Sequence, residues 1–533
     1  MDCRALLPHQ LPHASKLIRD YVEHFSKLQS FYAHKPELRA VASYAKKLNF
    51  PSERRREVAS ILRRQNLVYG SGAGTERNLS RLEEGAFAVV TGQQVGLFGG
   101  PAYAFYKALT AIQTAQELTR SGIQAVPIFW MATEDHDVDE VRHTTWFSEG
   151  KLRHYQLPKP AVDAQPVGRI RLGELVGDFL REAGPELGET FGGMLRESYT
   201  PVATYSSAFA RLFAQIFEDQ GLILLDPLDE QLHRVAAPIL RAALAERDAL
   251  EELLLKRGKE LERAGYGAQV NVTARSTLLF SLEGGKRRVI SAGNGQFSCG
   301  DKTAPREEWL HQVEAHPELF SPNALLRSVV QDYLLPTIVY FGGPSEIAYF
   351  AQSHVLYEKL LGRMPVILPR ADFTLVDPKG VRLLKKYKLQ VEDVWCGSQV
   401  LRKRMYASHL PKKLAHSFDV NLRQIEKNLH RLHKAIAGVD PTIQGTIARA
   451  EKRIRYQLEK LRHKTGASLD RHEKLIEQHE QFLENLLYPQ KGLQSRDLCF
   501  MPFLARWGSG GLKELAKLAS AKKPGRHFIV PIP

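Results

Sequence analysis

The stretch "TEDHDVDE" (Thr133–Glu140) sets five acids and one histidine directly behind the apolar run "IQAVPIFWMA". So many neighbouring carboxylates repel one another unless they meet a cation, an amine or open solvent. Asp135, His136 and Asp137 are the catalytic candidates. They could hold an ammonium group, take its proton, or bind a metal. A histidine between two aspartates at a strand's carboxyl end suits a base that Asp135 or Asp137 orients. A metal needs further ligands, which the spacing does not supply, so no metal is predicted.

Two other stretches repeat one phrase. "VVTGQQVGLFGGPAYAFYKAL" (Val89–Leu109) and "VYFGGPSEIAYF" (Val339–Phe350) both read Phe-Gly-Gly-Pro, and in both a tyrosine, Tyr106 or Tyr349, follows five residues after the proline. Proline at the first helical position gives up only an N–H that would be orphaned anyway. The glycines before it, Gly99 and Gly100 or Gly342 and Gly343, let the backbone approach a ligand. The helix N-terminus that follows attracts anions. The two corners are therefore expected to be opposing anion clamps of one crevice, with the acid cluster between them. Glu346 and Tyr349 would line the second corner. Thr91, Gly92, Gln93 and Gln94 offer uncharged donors and acceptors, which suit a sugar or the polar groups of a nucleotide. Lys107 could reach back to an anion. Asn323, Arg327 and Gln331 step by four along one helix face and could read a carboxylate or phosphate. Arg370, in "LPRADF", stands after another apolar strand in a similar position. Neither GxxxxGK[ST] nor GxGxxG occurs.

The elements that must position these residues are legible from periodicity. Residues 1 to about 65 read as helical, and "VYGSGAGTERN" as a loop. "GAFAVVTGQQ", a helix over Pro101–Thr119 and "IQAVPIFWM" make a βαβ unit, hence a parallel sheet with a right-handed crossover. A Pro-rich insertion follows, then a strand at "GLILLDP", one long helix from Asp229, and a hairpin turning at Gly284-Gly285. Alternating helix and strand resume at Asn323. Beyond about 381, Leu422, Ile425, Leu429, Leu432, Ile436 and Val439 form a heptad seam, and Pro441 marks a turn. A second seam runs through Ile447, Ala450, Ile454, Leu458 and Leu461, and later through Leu475, His479, Phe482 and Leu486. The two suit an antiparallel coiled-coil hairpin. The end, "RHFIVPIP", reads as a strand.

The 533 residues are too many for one ordinary core, and 43% hydrophobic with 25% charged content is that of a soluble globular chain. No apolar run is long enough to span a membrane, and the start lacks the pattern of a secretory signal. Four scattered cysteines without a CxxC spacing suit a reducing cytoplasm. The net charge of +15 favours anionic partners. Its excess lies mostly between about 400 and 475, where a solvated face and a polyanion-binding face both fit.

The long motifs "VVTGQQVGLFGGPAYAFYKA", "PIFWMATEDHDVDEV", "NALLRSVVQDYLLPTIVYFGGPSEIAYFAQ" and "PVILPRADFTLV" together resemble the cysteine ligases of bacillithiol biosynthesis, over essentially the whole chain. The resemblance implies an α/β fold: a Rossmann-like parallel-sheet core with connecting-peptide insertions and a long helical coiled-coil domain. Its parts would be 1–145, N-terminal helices and the first half of the core; 146–320, connecting-peptide insertions interleaved with core strands; 321–385, the second half; 386–490, a dimerising coiled coil; and 491–533, a segment returning to the core. It implies a ligase that joins cysteine, through an amide, to the glucosamine amine of glucosaminyl malate. The malate carboxylates would meet Arg327 or Arg370, and the amine Asp135, His136 and Asp137. Amide formation from a free acid is uphill, so ATP (with ADP as the other candidate nucleotide) is expected to activate cysteine. At fold level the layout is also similar to class I aminoacyl-tRNA synthetases, but HIGH and KMSKS are absent and Lys379 after "ILPRADF" stands alone. Two other readings stay open at this point: a nucleotidyl or aminoacyl transferase acting on another amine, and a basic coiled-coil dimer that binds nucleic acid. The second leaves the acid cluster and the paired corners unexplained, so nucleic acid is not the expected partner.

Overall fold

The computed structural model describes residues 3–293, 295–408, 412–437, 444–468, 473–522 and 524–533. At its centre lies a five-stranded sheet of β1 (Phe87–Gln93), β2 (Ala125–Met131), β3 (Ile223–Leu225), β4 (Thr337–Gly342) and β5 (Val366–Pro369). The order is β5-β4-β1-β2-β3, and each neighbouring pair is parallel. Helices cover both faces of such a sheet, so its strands carry near-continuous apolar runs. Every residue of β2, "AVPIFWM", is buried.

The chain enters at β1, steps outward to β2 and β3, then returns to β4 on the other side of β1. The direction of travel reverses between β1 and β4. In an open parallel sheet such a reversal leaves a crevice outside the carboxyl ends of the strands. Helix α1 (Tyr103–Arg120) links β1 to β2, α2 (Ala324–Leu334) leads into β4, and α3 (Pro344–Leu360) links β4 to β5. Thr91 Oγ1 donates to the Phe341 carbonyl at 2.9 Å and ties β1 to β4 beside the reversal.

The insertions keep the expected hairpin. Ser276–Glu283 and Lys286–Gly293 pair antiparallel, with Glu283 opposite Lys286 across Gly284-Gly285. Two local expectations change. The stretch read as the loop "VYGSGAGTERN" already starts a helix at Ala73, because Gly72 is extended and caps it. The single long helix from Asp229 is two, Glu230–Ala245 and Arg247–Arg263, broken at Glu246. There the Arg247 guanidinium turns inward and donates to the Ser276 carbonyl at 3.0 Å. Leu250, Leu254 and Leu261 then bury in the same core as Leu240 and Leu244.

The C-terminal strand His527–Pro531 runs parallel to Asp372–Val376 and antiparallel to Arg4–Leu6, so both chain ends return to the body. Helices Lys412–Ala437 and Gln444–Ser468 form the antiparallel hairpin. Ion pairs Asp419–Arg462 and Glu426–Arg455, with the contact Glu451–His433, fix its direction, since one number rises as the other falls. The seam position Val439 and the turn at Pro441 lie outside the described residues. The last part of the second seam belongs to a third helix, Glu473–Leu487, which docks on the body. Its buried stripe includes Ile476, Phe482, Leu483 and Leu486, while Leu475 is exposed. The stripe is rotated because this helix packs on several elements of the body rather than on one partner helix. Among the described residues no helix is long and apolar enough to cross a membrane.

Candidate active site

A crevice of about 540 Å³ opens at the carboxyl ends of β1, β2 and β4. Asp135 and Glu134 lie on one wall, and Arg327 and Arg370 on the other.

The acid wall follows β2. Asp135 Oδ1 accepts from the His136 amide at 2.8 Å, and Gln94 Nε2 donates to its Oδ2 at 2.5 Å. Arg287, brought in by the inserted hairpin, stacks on Phe280 at 3.7 Å and donates to Asp135 Oδ1 at 3.4 Å and to His136 Nδ1 at 3.1 Å. An arginine cannot accept, so His136 Nδ1 is the acceptor and its hydrogen sits on Nε2. Asp137 does not join its neighbours. It caps the short helix Val138–Val141 and is exposed. Glu134 does face the crevice, buried.

The opposite side is built on α1, α2, α3 and the turn after β5. Lys107 is 1% exposed; its Nζ donates to the Gly92 carbonyl at 2.6 Å and to Gln93 Oε1 at 2.8 Å, and it pairs with Glu346. Burial presses the Lys107 ammonium toward neutrality, and Glu346 opposes this. Burial alone would raise Glu346, but Lys107, Tyr340 and the Gly343 amide outweigh it and hold the carboxylate below the ordinary glutamate range. The helix N-terminus at the second corner therefore carries its own anion. Arg327 donates to Tyr349 Oη at 2.7 Å and to Gln331 Oε1 at 3.1 Å. Both partners are neutral. Arg370 is held through Nη1 by Asp372 Oδ1 at 2.6 Å.

Three buried polar atoms of residues lining this crevice have no protein partner: Gln94 Oε1 on the acid side, Trp130 Nε1 on β2, and Arg370 Nε on the other side. An unsatisfied buried polar group costs about 1–3 kcal/mol, so each is a place where a ligand gains. The glutamine oxygen wants a donor, and the two nitrogens want acceptors.

The crevice gathers Gly92, Gln93, Gln94, Lys107, Asp135, His136, Asn323, Arg327, Gly343, Glu346, Tyr349 and Arg370 of the residues expected from sequence. Asn323 also caps α2 through Leu325 and Leu326. Thr91, Gln331 and Gly342 stand one layer behind: Thr91 and Gln331 are fully buried, and the Gly342 carbonyl accepts from the Arg370 amide at 3.1 Å. Gly99 and Gly100 do not line the crevice at all. The first corner points into the core, where the Gly99 amide donates to Tyr199 Oη at 2.8 Å. The Ala102 amide donates to the Leu498 carbonyl at 2.8 Å, so α1 presents no free N-terminus to a ligand. The opposing-clamp expectation fails for this reason.

Gly99 has φ +88°, and a Cβ there would sit 2.5 Å from Phe105 Cζ. Gly99→Ala is expected to cost about 2–5 kcal/mol, from left-handed backbone strain and overpacking. Denaturant unfolding would read that loss, while ligand affinity of the folded fraction stays unchanged. A loss of affinity without a loss of stability would return the first corner to the site.

Sequence reasoning passed over Glu134, Arg287, Tyr103, Trp130 and Tyr340, all of which line the crevice. Glu134 stood inside the acid cluster and carried a signal. Arg287 carried none, because only the docking of the hairpin brings it here.

Family models describe both parts of the chain: "Bacillithiol biosynthesis BshC, N-terminal Rossmann-like domain" matches residues 1–371, and "Bacillithiol biosynthesis BshC, C-terminal coiled-coil domain" matches 373–531. A protein of Koribacter versatilis (strain Ellin345) is 40% identical over 509 residues, covering 95% of this chain and 95% of its own. One of Solibacter usitatus (strain Ellin6076) is 36% identical, covering 95% and 96%, and one of Chlorobaculum tepidum 31%, covering 97% and 96%. All three bear the name "Putative cysteine ligase BshC". With its Rossmann-like sheet, inserted hairpins and helical hairpin, the chain belongs to the BshC family of bacillithiol biosynthesis.

Proposed function

We propose that this chain is a ligase that joins cysteine, through an amide, to the glucosamine amine of glucosaminyl malate, the last step in making bacillithiol. The observation that carries this reading is the polar division of the crevice. A sugar amine bearing a dicarboxylate is cationic at one end and anionic at the other. Asp135, with Gln94 Oε1 beside it, suits the ammonium. Arg327 and the free Nε of Arg370 suit the carboxylates. Gln93 and Gln94 suit sugar hydroxyls. The names of the relatives support the ligase class and cysteine as a substrate.

The amine must lose a proton before it can attack, and the acid wall is where that proton goes. His136 Nδ1 is committed to Arg287, so His136 serves this wall as a binding group. Cysteine must arrive activated, and ATP is proposed as the source of that activation. The same proposal includes a cytoplasmic location and a homodimer through the helical hairpin. Leu432 and Leu461, both seam residues, are 54% exposed on the single chain, which supports a second copy covering them.

Titration calorimetry tests the substrate. Glucosaminyl malate is expected to bind the intact protein more tightly than malate or glucosamine alone. No heat from glucosaminyl malate, with or without ATP, would end the assignment.

A further inference from the structure

Glu134 is 7% exposed and lines both the crevice and a small cavity behind it, which His233 also lines. His233, on the helix Glu230–Ala245, places Nδ1 3.1 Å from the Pro317 carbonyl oxygen. A carbonyl only accepts, so Nδ1 carries a hydrogen. Nε2 lies 3.3 Å from Glu134 Oε1. This close approach sets the carboxyl against the imidazole inside the buried cavity. Burial pushes Glu134 up from the usual 4.5 to about 8; Asp226 and Asp135 add to this, against Arg287 from the hairpin and Arg327 from α2. Burial pushes His233 down, with Arg169 on the same side and the Pro317 and Phe320 carbonyls and Glu318 opposing. Both directions favour a neutral carboxylic acid beside a neutral imidazole. His136, by contrast, already offers its lone pair to Arg287.

We propose that Glu134, held by His233 as its positioning residue, takes the proton from the reacting amine. The proposal rests on the amine-acylating reading above. A bound ammonium favours the ionised carboxylate, so binding expels the pair's proton to solvent. The ammonium N–H bond then breaks and an O–H bond forms on Glu134. The freed nitrogen lone pair attacks the carbonyl carbon of an acyl-activated cysteine, the co-reactant. Its leaving group departs with the bonding electrons and takes up the second nitrogen proton as the amide forms. Glu134 and His233 are left as the neutral pair, ready for the next amine.

The test uses Glu134→Gln and His233→Gln in the full chain. Glu134→Gln is expected to lower kcat about 100- to 10,000-fold with KM for glucosaminyl malate nearly unchanged. It should also erase the rising limb of kcat/KM near pH 8. His233→Gln should keep that limb but move it. A second readout needs no substrate. Between about pH 4.5 and 8 the native state keeps a proton that the unfolded chain releases, so wild-type stability falls relative to Glu134→Gln across that window and the gap is flat above it. If Glu134→Gln does not fold, Glu134→Asp, which withdraws the carboxyl from His233 but still titrates, must lower kcat and shift the limb. Product formation by Glu134→Gln at wild-type kcat, or parallel stability curves, overturns the proposal. If the wild type makes no product at all, the acylating reading fails, while the stability curves still decide whether the pair holds its proton.

Discussion

Lys107→Met is expected to abolish turnover and to lower stability by about 3–5 kcal/mol, the range for breaking a buried ion pair from one side. Lys107 is buried and makes three polar contacts, two of them to the "TGQQ" segment of β1. Its removal strands the Glu346 carboxylate, which keeps only Tyr340 and the Gly343 amide. It also releases Gly92 and Gln93 from α1, so the floor of the crevice loses its support. The pH dependence identifies the cause. Glu346 is held below its ordinary value in the wild type, so it contributes stability above about pH 4.5 that is lost as pH falls through its folded value. In Lys107→Met this contribution is gone, so the gap between the proteins is widest near neutrality and narrows in acid. Lys107→Met with Glu346→Gln should recover part of the stability and none of the turnover. A neutral-pH loss below about 1 kcal/mol, read by denaturant unfolding, would contradict a structural role for the pair.

Arg327→Ala is expected to weaken glucosaminyl malate binding about 10- to 150-fold, the equivalent of about 1.5–3 kcal/mol for a charge-assisted contact. The fold should tolerate the change, because Arg327 donates to two neutral oxygens, Tyr349 Oη and Gln331 Oε1, and leaves no buried carboxylate behind. Arg327→Lys should recover only part of the affinity, since an ammonium cannot reproduce the planar fork. Calorimetry reads both variants. Affinity within threefold of wild type in Arg327→Ala would remove this residue from the carboxylate site and shift that role to Arg370.

The central strands were legible because each is a short apolar run bounded by turn residues, and the βαβ order alone made the sheet parallel. The crevice followed from the same order, since strand reversal places it. What remained hidden depends on how inserted parts dock. The turn at Gly284-Gly285 was readable, but nothing local says that Arg287 four-square behind it reaches Asp135 and His136. The two Phe-Gly-Gly-Pro corners look alike as sequence, yet only Gly343 borders the crevice, because Tyr199 and Leu498 absorb the amides of the first. Glu134 lay in plain view among the acids. Its neighbour His233 comes from a helix beyond β3, so their contact has no sequence signature. In the helical region the heptad count found the antiparallel hairpin, but Leu475 sat one residue from the stripe that the body buries, since a helix docked on several elements need not keep a strict seven-residue repeat.

The most direct measurement is mass analysis of the products when the intact protein is given glucosaminyl malate, cysteine and ATP in stoichiometric amounts. The account predicts one new species, the cysteinyl amide carrying a free thiol, formed only when all three are present and lost in Lys107→Met. Recovery of unchanged glucosaminyl malate, under conditions where calorimetry shows it bound, would contradict the claim that this crevice joins the two.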